Sequence, residues 1–339
     1  MNHYLFNRDS FNIFYNCSYY DINLHPLNER KDIFYGSILI FGSIVFELLY
    51  LPIIPVLWKQ SFQKESCYKL MGIIAIVDMI AISLNGTLTG YLAITGAVYC
   101  SFPHIQLCAG TIAFAAWLME CDLALLLAID RCLGMVNRKL CDQIFTGKRI
   151  YVLIGISAVY SFIIAFCTDT MTFNSLYGVW LVNPHMGYPE TGREYKNLGH
   201  HIHNIGIAFA LATFYLIFVI SLCKKKFSSQ KQFSFSEKPI FIQVFLMSFM
   251  NFSCALIYVY EQYFPTPKLI MQFSQFGWMC IHGLPSIIYL GLNKRIRRSV
   301  FKMLRIPTNG VTSVAHQPTK VSKFKNTVTH QNRSKYELN

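Results

Sequence analysis

Seven apolar runs, each long enough to cross a bilayer as a helix, constrain this chain more than anything else in it. A hydrocarbon core of about 30 Å takes roughly 20 residues of α-helix. Inside it every backbone polar group must be paired within the protein, which leaves helices or closed barrels. The runs fall at residues 35–57, 70–94, 108–136, 150–168, 204–223, 239–264 and 269–292. Hydrophobic residues make up 53% of the chain and charged ones 14%, too apolar for an ordinary soluble domain. The fold class is therefore an all-α membrane protein, a seven-transmembrane helix bundle.

Orientation follows from the basic residues, which collect on the cytoplasmic side of membrane proteins. The loops after the first, third and fifth runs, with the stretch after Asn293, hold 24 of the 30 Lys and Arg residues. The other side holds Arg8, Arg30, Lys31, Arg193, Lys196 and Lys268. The N-terminus is thus outside. Asn16-Cys17-Ser18 is a glycosylation sequon on that outer side, which makes Asn16 the candidate acceptor. After the seventh run, Ile296, Val300, Phe301 and Leu304 recur at helical spacing among cations. This predicts a short amphipathic inner helix on the anionic leaflet, with membrane lipids as partners. Residues 1–34 are read as an extracellular segment, 35–305 as the seven-transmembrane domain with its surface helix, and 306–339 as a disordered cytoplasmic tail.

The net charge of +13 is spread over particular loops and forms no basic face, so nucleic acid is not an expected partner. The 11 cysteines show no metal-ligand spacing, and no metal site is expected. Neither a Gly-x-Ser-x-Gly nor a His-Glu-x-x-His motif occurs, and the chain is not read as an enzyme. His200, His201 and His203 cluster at the outer end of the fifth run, but adjacent histidines do not share a helix face.

Ionisable groups in a membrane helix are costly and mark function. Glu47, Asp78, Glu120, Asp122 and Asp130 lie at or near membrane depth, and Arg131 is the one clear cation there. The carboxylates are therefore expected to be unmatched by bases. Glu120 stands about three turns above Arg131 on one face. With Asp78 of the second run it forms a candidate cation pocket, with a sodium ion or water as occupant and no other cofactor. At the cytoplasmic rim stand Asp130 and Arg131. In the seventh run Pro285 frees a backbone carbonyl, and Tyr289 lies one turn toward the cytoplasm, where a side chain can swing between partners. On the outer side Phe114, Trp117, Tyr258, Gln272 and Gln275 are candidate pocket residues for a small apolar ligand, and the aromatic loop 169–203 is a candidate lid.

Together these features resemble the seven-helix G-protein-coupled receptors. Asp130-Arg131-Cys132 resembles their Asp-Arg-Tyr motif with the last position changed. Leu284-Pro285-Ser286-Ile287-Ile288-Tyr289 resembles Asn-Pro-x-x-Tyr without its Asn and with one extra residue. More narrowly, the chain is similar to the nematode serpentine chemoreceptors of class T. That likeness rests on Tyr15-Asn16-Cys17-Ser18, Pro26-Leu27-Asn28-Glu29-Arg30-Lys31, Leu49-Tyr50-Leu51-Pro52 and Tyr99-Cys100-Ser101, in that order, and runs from about residue 15 to 305. The fourth run lacks Trp, the fifth lacks Pro and the sixth lacks Cys-Trp-x-Pro, all landmarks of rhodopsin-like receptors.

The resemblance implies a chemosensory receptor in the plasma membrane, in sensory cilia, that binds an extracellular small-molecule ligand and activates a heterotrimeric G protein. Asp130, Arg131, Pro285 and Tyr289 would form its activation switch. It also implies one outer disulfide; Cys17, Cys100, Cys108 and Cys167 are the candidates, and their pairing is left open. The competing reading is an ion- or proton-coupled transporter or channel that uses the intramembrane carboxylates.

Overall fold

A computed structural model describes residues 1–18, 21–189, 194–227 and 238–307. The tail beyond them, where disorder is expected, lies outside the described residues. Seven long helices follow one another: α1 (Ile33–Leu57), α2 (Ser66–Thr95), α3 (Pro103–Val136), α4 (Arg149–Cys167), α5 (Leu198–Phe227), α6 (Lys238–Tyr263) and α7 (Lys268–Leu292). Five helical stretches are long and apolar enough to cross a membrane by composition alone, and α6 has a shorter apolar stretch, Phe245–Glu261. The seventh, α7, is 25 residues long but buries Ser274, Gln275, His282 and Ser286. Its polar side faces the bundle, so a plain apolarity count understates it.

Helix ends differ from the apolar runs where polar first turns hide them. The third helix begins at Pro103, before the apolar run, because Pro suits a first helical position and Gln106 is buried. The fifth begins at Leu198 and takes in the histidines. In α1, Asp32 is the N-cap and accepts from Tyr35 N at 3.0 Å. A short helix, Arg138–Phe145, fills the second inner loop.

Small residues let α1 and α2 cross closely. A Cβ on Gly36 would lie 2.5 Å from the Gly90 carbonyl oxygen, and one on Gly90 equally close to that of Gly36. Between them α2 widens into a π-helical turn, Ser83–Leu88. Such turns re-aim side chains and recur at functional sites. Here Thr87 meets Ser43 of α1, with 2.7 Å between their hydroxyls, while Asn85 is turned inward and buried.

After α7 comes α8 (Lys294–Met303), capped by Asn293 Oδ1 on Ile296 N at 3.1 Å. Ile296 and Val300 are buried against the bundle. Arg295 pairs with Glu65 and lies over the rings of Phe62 and Tyr68, which ties α8 to the first inner loop.

Outside, two short helices, Asn2–Phe6 and Arg8–Phe14, lead to Cys17, which is joined to Cys100 with Cα atoms 5.7 Å apart. Cys108 and Cys167 are free and exposed. Asn16 Oδ1 accepts from Ser18 N at 2.8 Å within the sequon. The second outer loop contributes a hairpin, β1 (Thr172–Asn174) and β2 (Val179–Leu181), with Phe173 opposite Trp180.

Candidate functional site

The polar and aromatic residues form three layers from outside inward. The outermost is the hairpin, which is seated in the bundle mouth. Phe173 is fully buried and Trp180 nearly so. Trp180 Nε1 donates to Thr89 Oγ1 of α2 at 2.8 Å, and Phe173 N donates to Gln106 Oε1 of α3 at 2.9 Å. Tyr35 of α1 donates to Gly178 O at 3.1 Å. Gln272 stands beside this latch rather than deeper in the bundle: its amide donates to Asp32 Oδ2 at 2.9 Å.

Beneath the hairpin, within the same outer layer, lies an aromatic cage. Trp117 of α3, Tyr258 of α6 and Trp278 of α7 surround a space with Met171 and His200, and its free volume is about 10 Å³, near the lower limit for one water. The Trp117 and Trp278 rings meet edge to face at 6.4 Å, Tyr258 and Trp278 at 5.8 Å, and Phe114 and His200 at 5.3 Å. Of the candidate pocket residues, Trp117 and Tyr258 line this space and Phe114 backs it. Gln275 is buried lower, 3.4 Å from the Asn85 carbonyl. Trp117 Nε1 donates to Asn204 at 3.0 Å, and Asn204 in turn meets His200 Nε2 at 3.0 Å. His201 and His203 turn to Tyr263 and Tyr160. The histidine trio is thus divided among three partners, and among the described residues no group of three His, Cys, Asp or Glu could hold a metal.

The middle layer corrects one expectation. The buried carboxylates are not all without a base, because Asp78 faces His282 of α7, Oδ1 to Nδ1 at 2.8 Å. Both side chains are fully buried. Tyr50 of α1 donates to the other oxygen, Oδ2, at 2.6 Å. Three helices therefore meet at Asp78. Glu120 belongs to a neighbouring group: its Oε1 accepts from Asn251 of α6 at 3.1 Å, while Glu120 Oε2, Asn251 Oδ1 and His282 Nε2 are buried without partners among the described residues. Glu47 faces outward and accepts from Ser83 at 2.8 Å.

The third layer is the cytoplasmic rim. Asp130 is fully buried. It accepts from Arg131 Nε at 2.8 Å and from Ser66 Oγ, at the inner end of α2, at 2.6 Å. Cys141, from the inner-loop helix, lies 3.4 Å from its carbonyl. Arg131 keeps about a fifth of its side chain exposed (21%). Above this rim Tyr289 is buried with its hydroxyl unpaired among the described residues, and Pro285 is buried within a continuous α7.

A plugged outer mouth, an aromatic cage, a buried polar core and a rim Arg are stacked in one seven-helix membrane bundle. Over residues 1–313 the sequence matches the family described as serpentine type 7TM GPCR chemoreceptor Srt. The chain belongs to that family, whose members are receptors. It is also similar to serpentine receptor class T-55 of Caenorhabditis elegans, with 25% identity over 280 residues that cover 82% of this chain and 76% of that protein.

Sequence reasoning missed His282, Tyr50, Asn251 and Ser66. A His eleven residues ahead of Asn293 in an apolar run was a visible signal for the first, since an intramembrane His needs a partner. The Tyr, Asn and Ser carried none, because polar uncharged residues are common in such helices.

Proposed function

We propose that the chain is a chemosensory receptor that binds a small extracellular ligand in the aromatic cage and activates a heterotrimeric G protein through its cytoplasmic face. The observation that carries this reading is α3 itself. One unbroken helix of 34 residues holds Trp117 in the cage, Glu120 in the polar core and Arg131 at the rim. A ligand that favours one position of α3 biases both ends, and it need only bind one state better than the other. In the closed arrangement Arg131 is held by Asp130, which is itself tied to α2 and the inner-loop helix. Release of that clamp would free Arg131 for a G protein, with Pro285 and Tyr289 as the matching hinge and swinging side chain on α7.

A sodium ion would find free acceptors on Glu120 and Asn251. At Asp78 it would compete with His282 and Tyr50, so Glu120 is the better half of the candidate cation pocket. The receptor would act in the plasma membrane and, by the family's chemosensory character, in sensory cilia, with Asn16 glycosylated outside.

The test is a second-messenger assay in cells with Arg131→Ala. The expected result is loss of signalling at normal surface density. Ligand-evoked current that persists in cells without G protein would replace this reading with that of a channel.

A further inference from the structure

The watery approach to the cage is filled by protein. The strand backbone before β1 presses on α3 so closely that a Cβ on Gly110 would lie 1.8 Å from the Met171 carbonyl oxygen. With Phe173 and Trp180 buried above, the described hairpin residues cover the cage, which has room for about one water.

A larger space opens sideways. Between α6 and α7 lies a cleft of about 200 Å³. Its rim is Phe249, Ile257 and Phe273, exposed by 55%, 36% and 69%, and its floor includes Cys254 and Ser274, both buried. At Gly277, also in the cleft, an added Cβ would meet nothing within 4 Å. The hydroxyls of Ser253 and Ser274 donate to carbonyls of their own helices, each at 2.8 Å, and so offer an occupant little. The cleft is therefore apolar and continuous with the outer surface of two membrane-spanning helices, the surface that acyl chains cover.

The floor of the cleft adjoins the cage. Cys254 and Tyr258 stand one helical turn apart on α6, as do Ser274 and Trp278 on α7. The Tyr258 and Trp278 rings, 5.8 Å apart, line the cage and follow the cleft residues Cys254 and Ser274 by one turn on each helix. Side-chain rotation is fast compared with helix motion, so turning these rings would both open passage and widen the cage, which holds about one water in the closed arrangement, to the size of a ligand. The indole N–H of Trp278 is buried without a partner among the described residues, so a ligand that carries an acceptor would satisfy it.

We propose that the ligand is a small lipophilic molecule with one hydrogen-bond acceptor, such as a carbonyl oxygen, and that it reaches the cage from the bilayer through the α6–α7 cleft. This rests on the reading of the cage as the ligand site. The test uses the full chain in phosphatidylcholine nanodiscs with a diazirine-bearing alkyl ketone as probe, followed by mapping of labelled peptides. Wild-type protein is expected to be labelled at Trp117, Tyr258 and Trp278.

Gly277→Leu fills the cleft, and Gly277→Ala adds a single methyl as control. Cage labelling should fall about tenfold in the first, a 1.4 kcal/mol effect, and little in the second. Ile257→Trp narrows the rim from the other helix and should act like Gly277→Leu, so the result does not hang on the packing of α7. Cage labelling unchanged in both blocking variants would overturn the proposal. So would wild-type labelling confined to the cleft rim, which would mark the cleft as a seat for bilayer chains only. No G protein is present in this experiment, so its failure would leave the Arg131→Ala test untouched.

Discussion

Asp78 and Asp130 are two fully buried carboxylates on neighbouring helices, and they are held in opposite ways. Asp78 takes its partners from afar, Tyr50 on α1 and His282 on α7, 28 and 204 residues away. Asp130 takes its cation from the next residue in the chain, with Ser66 and Cys141 beside it. His282 is fully buried, whereas Arg131 reaches solvent. The same chemistry joins helices in one place and makes a releasable catch in the other. A buried pair broken on one side leaves an uncompensated group in low dielectric, while a rim Arg can turn to water.

The largest expected effect is at the core. Asp78→Ala strands His282 Nδ1 and leaves the Tyr50 hydroxyl only the His282 carbonyl, 3.0 Å away, and the loss should be about 3–5 kcal/mol. In detergent this reads as a marked drop in melting temperature, together with poor surface yield. A melting temperature equal to that of wild type would remove the distinction between the two carboxylates. Next comes Tyr50→Phe, which removes one hydroxyl from a carboxylate and keeps the ring; about 1.5–3 kcal/mol is expected, with surface expression largely retained. The smallest is at the rim. Ser66→Ala removes one of the bonds that hold Asp130, worth about 1 kcal/mol. Its stability should hardly change, but basal G-protein activation should rise by about fivefold, since that energy is spent on the closed state. A Ser66→Ala receptor that is destabilised without any rise in basal activity would make the rim a structural joint like the core.

The contrast also explains what could be read in the sequence. Helix count depends on local hydropathy and was legible. The inner helix α8 was legible from the spacing of Ile296, Val300 and Phe301. Asp130 and Arg131 stood out as an ionisable pair at a helix end, but their contact with each other runs against the expectation that the carboxylates lack a base. The Asp78–His282 contact spans most of the chain, and nothing local marks a His in an apolar run as the base for one particular carboxylate. The hairpin was hidden for another reason. Its strands are three residues each, too short for an alternating pattern to stand out. Loop 169–203 therefore read as a lid of aromatic residues, while its buried depth depends on Gly110 and Gln106 of α3. Gln272 read as a pocket residue by position, yet Asp32 lies close enough to claim it. The π-helical turn that aims Asn85 inward left no mark in composition.

The central claim is that Arg131 works at a catch that the upper layers control. The most direct measurement is nucleotide exchange on a purified heterotrimeric G protein by the reconstituted receptor, compared across wild type, Ser66→Ala and Arg131→Ala at equal receptor density. The account predicts exchange raised above wild type by Ser66→Ala and abolished by Arg131→Ala. Equal exchange in all three would contradict it.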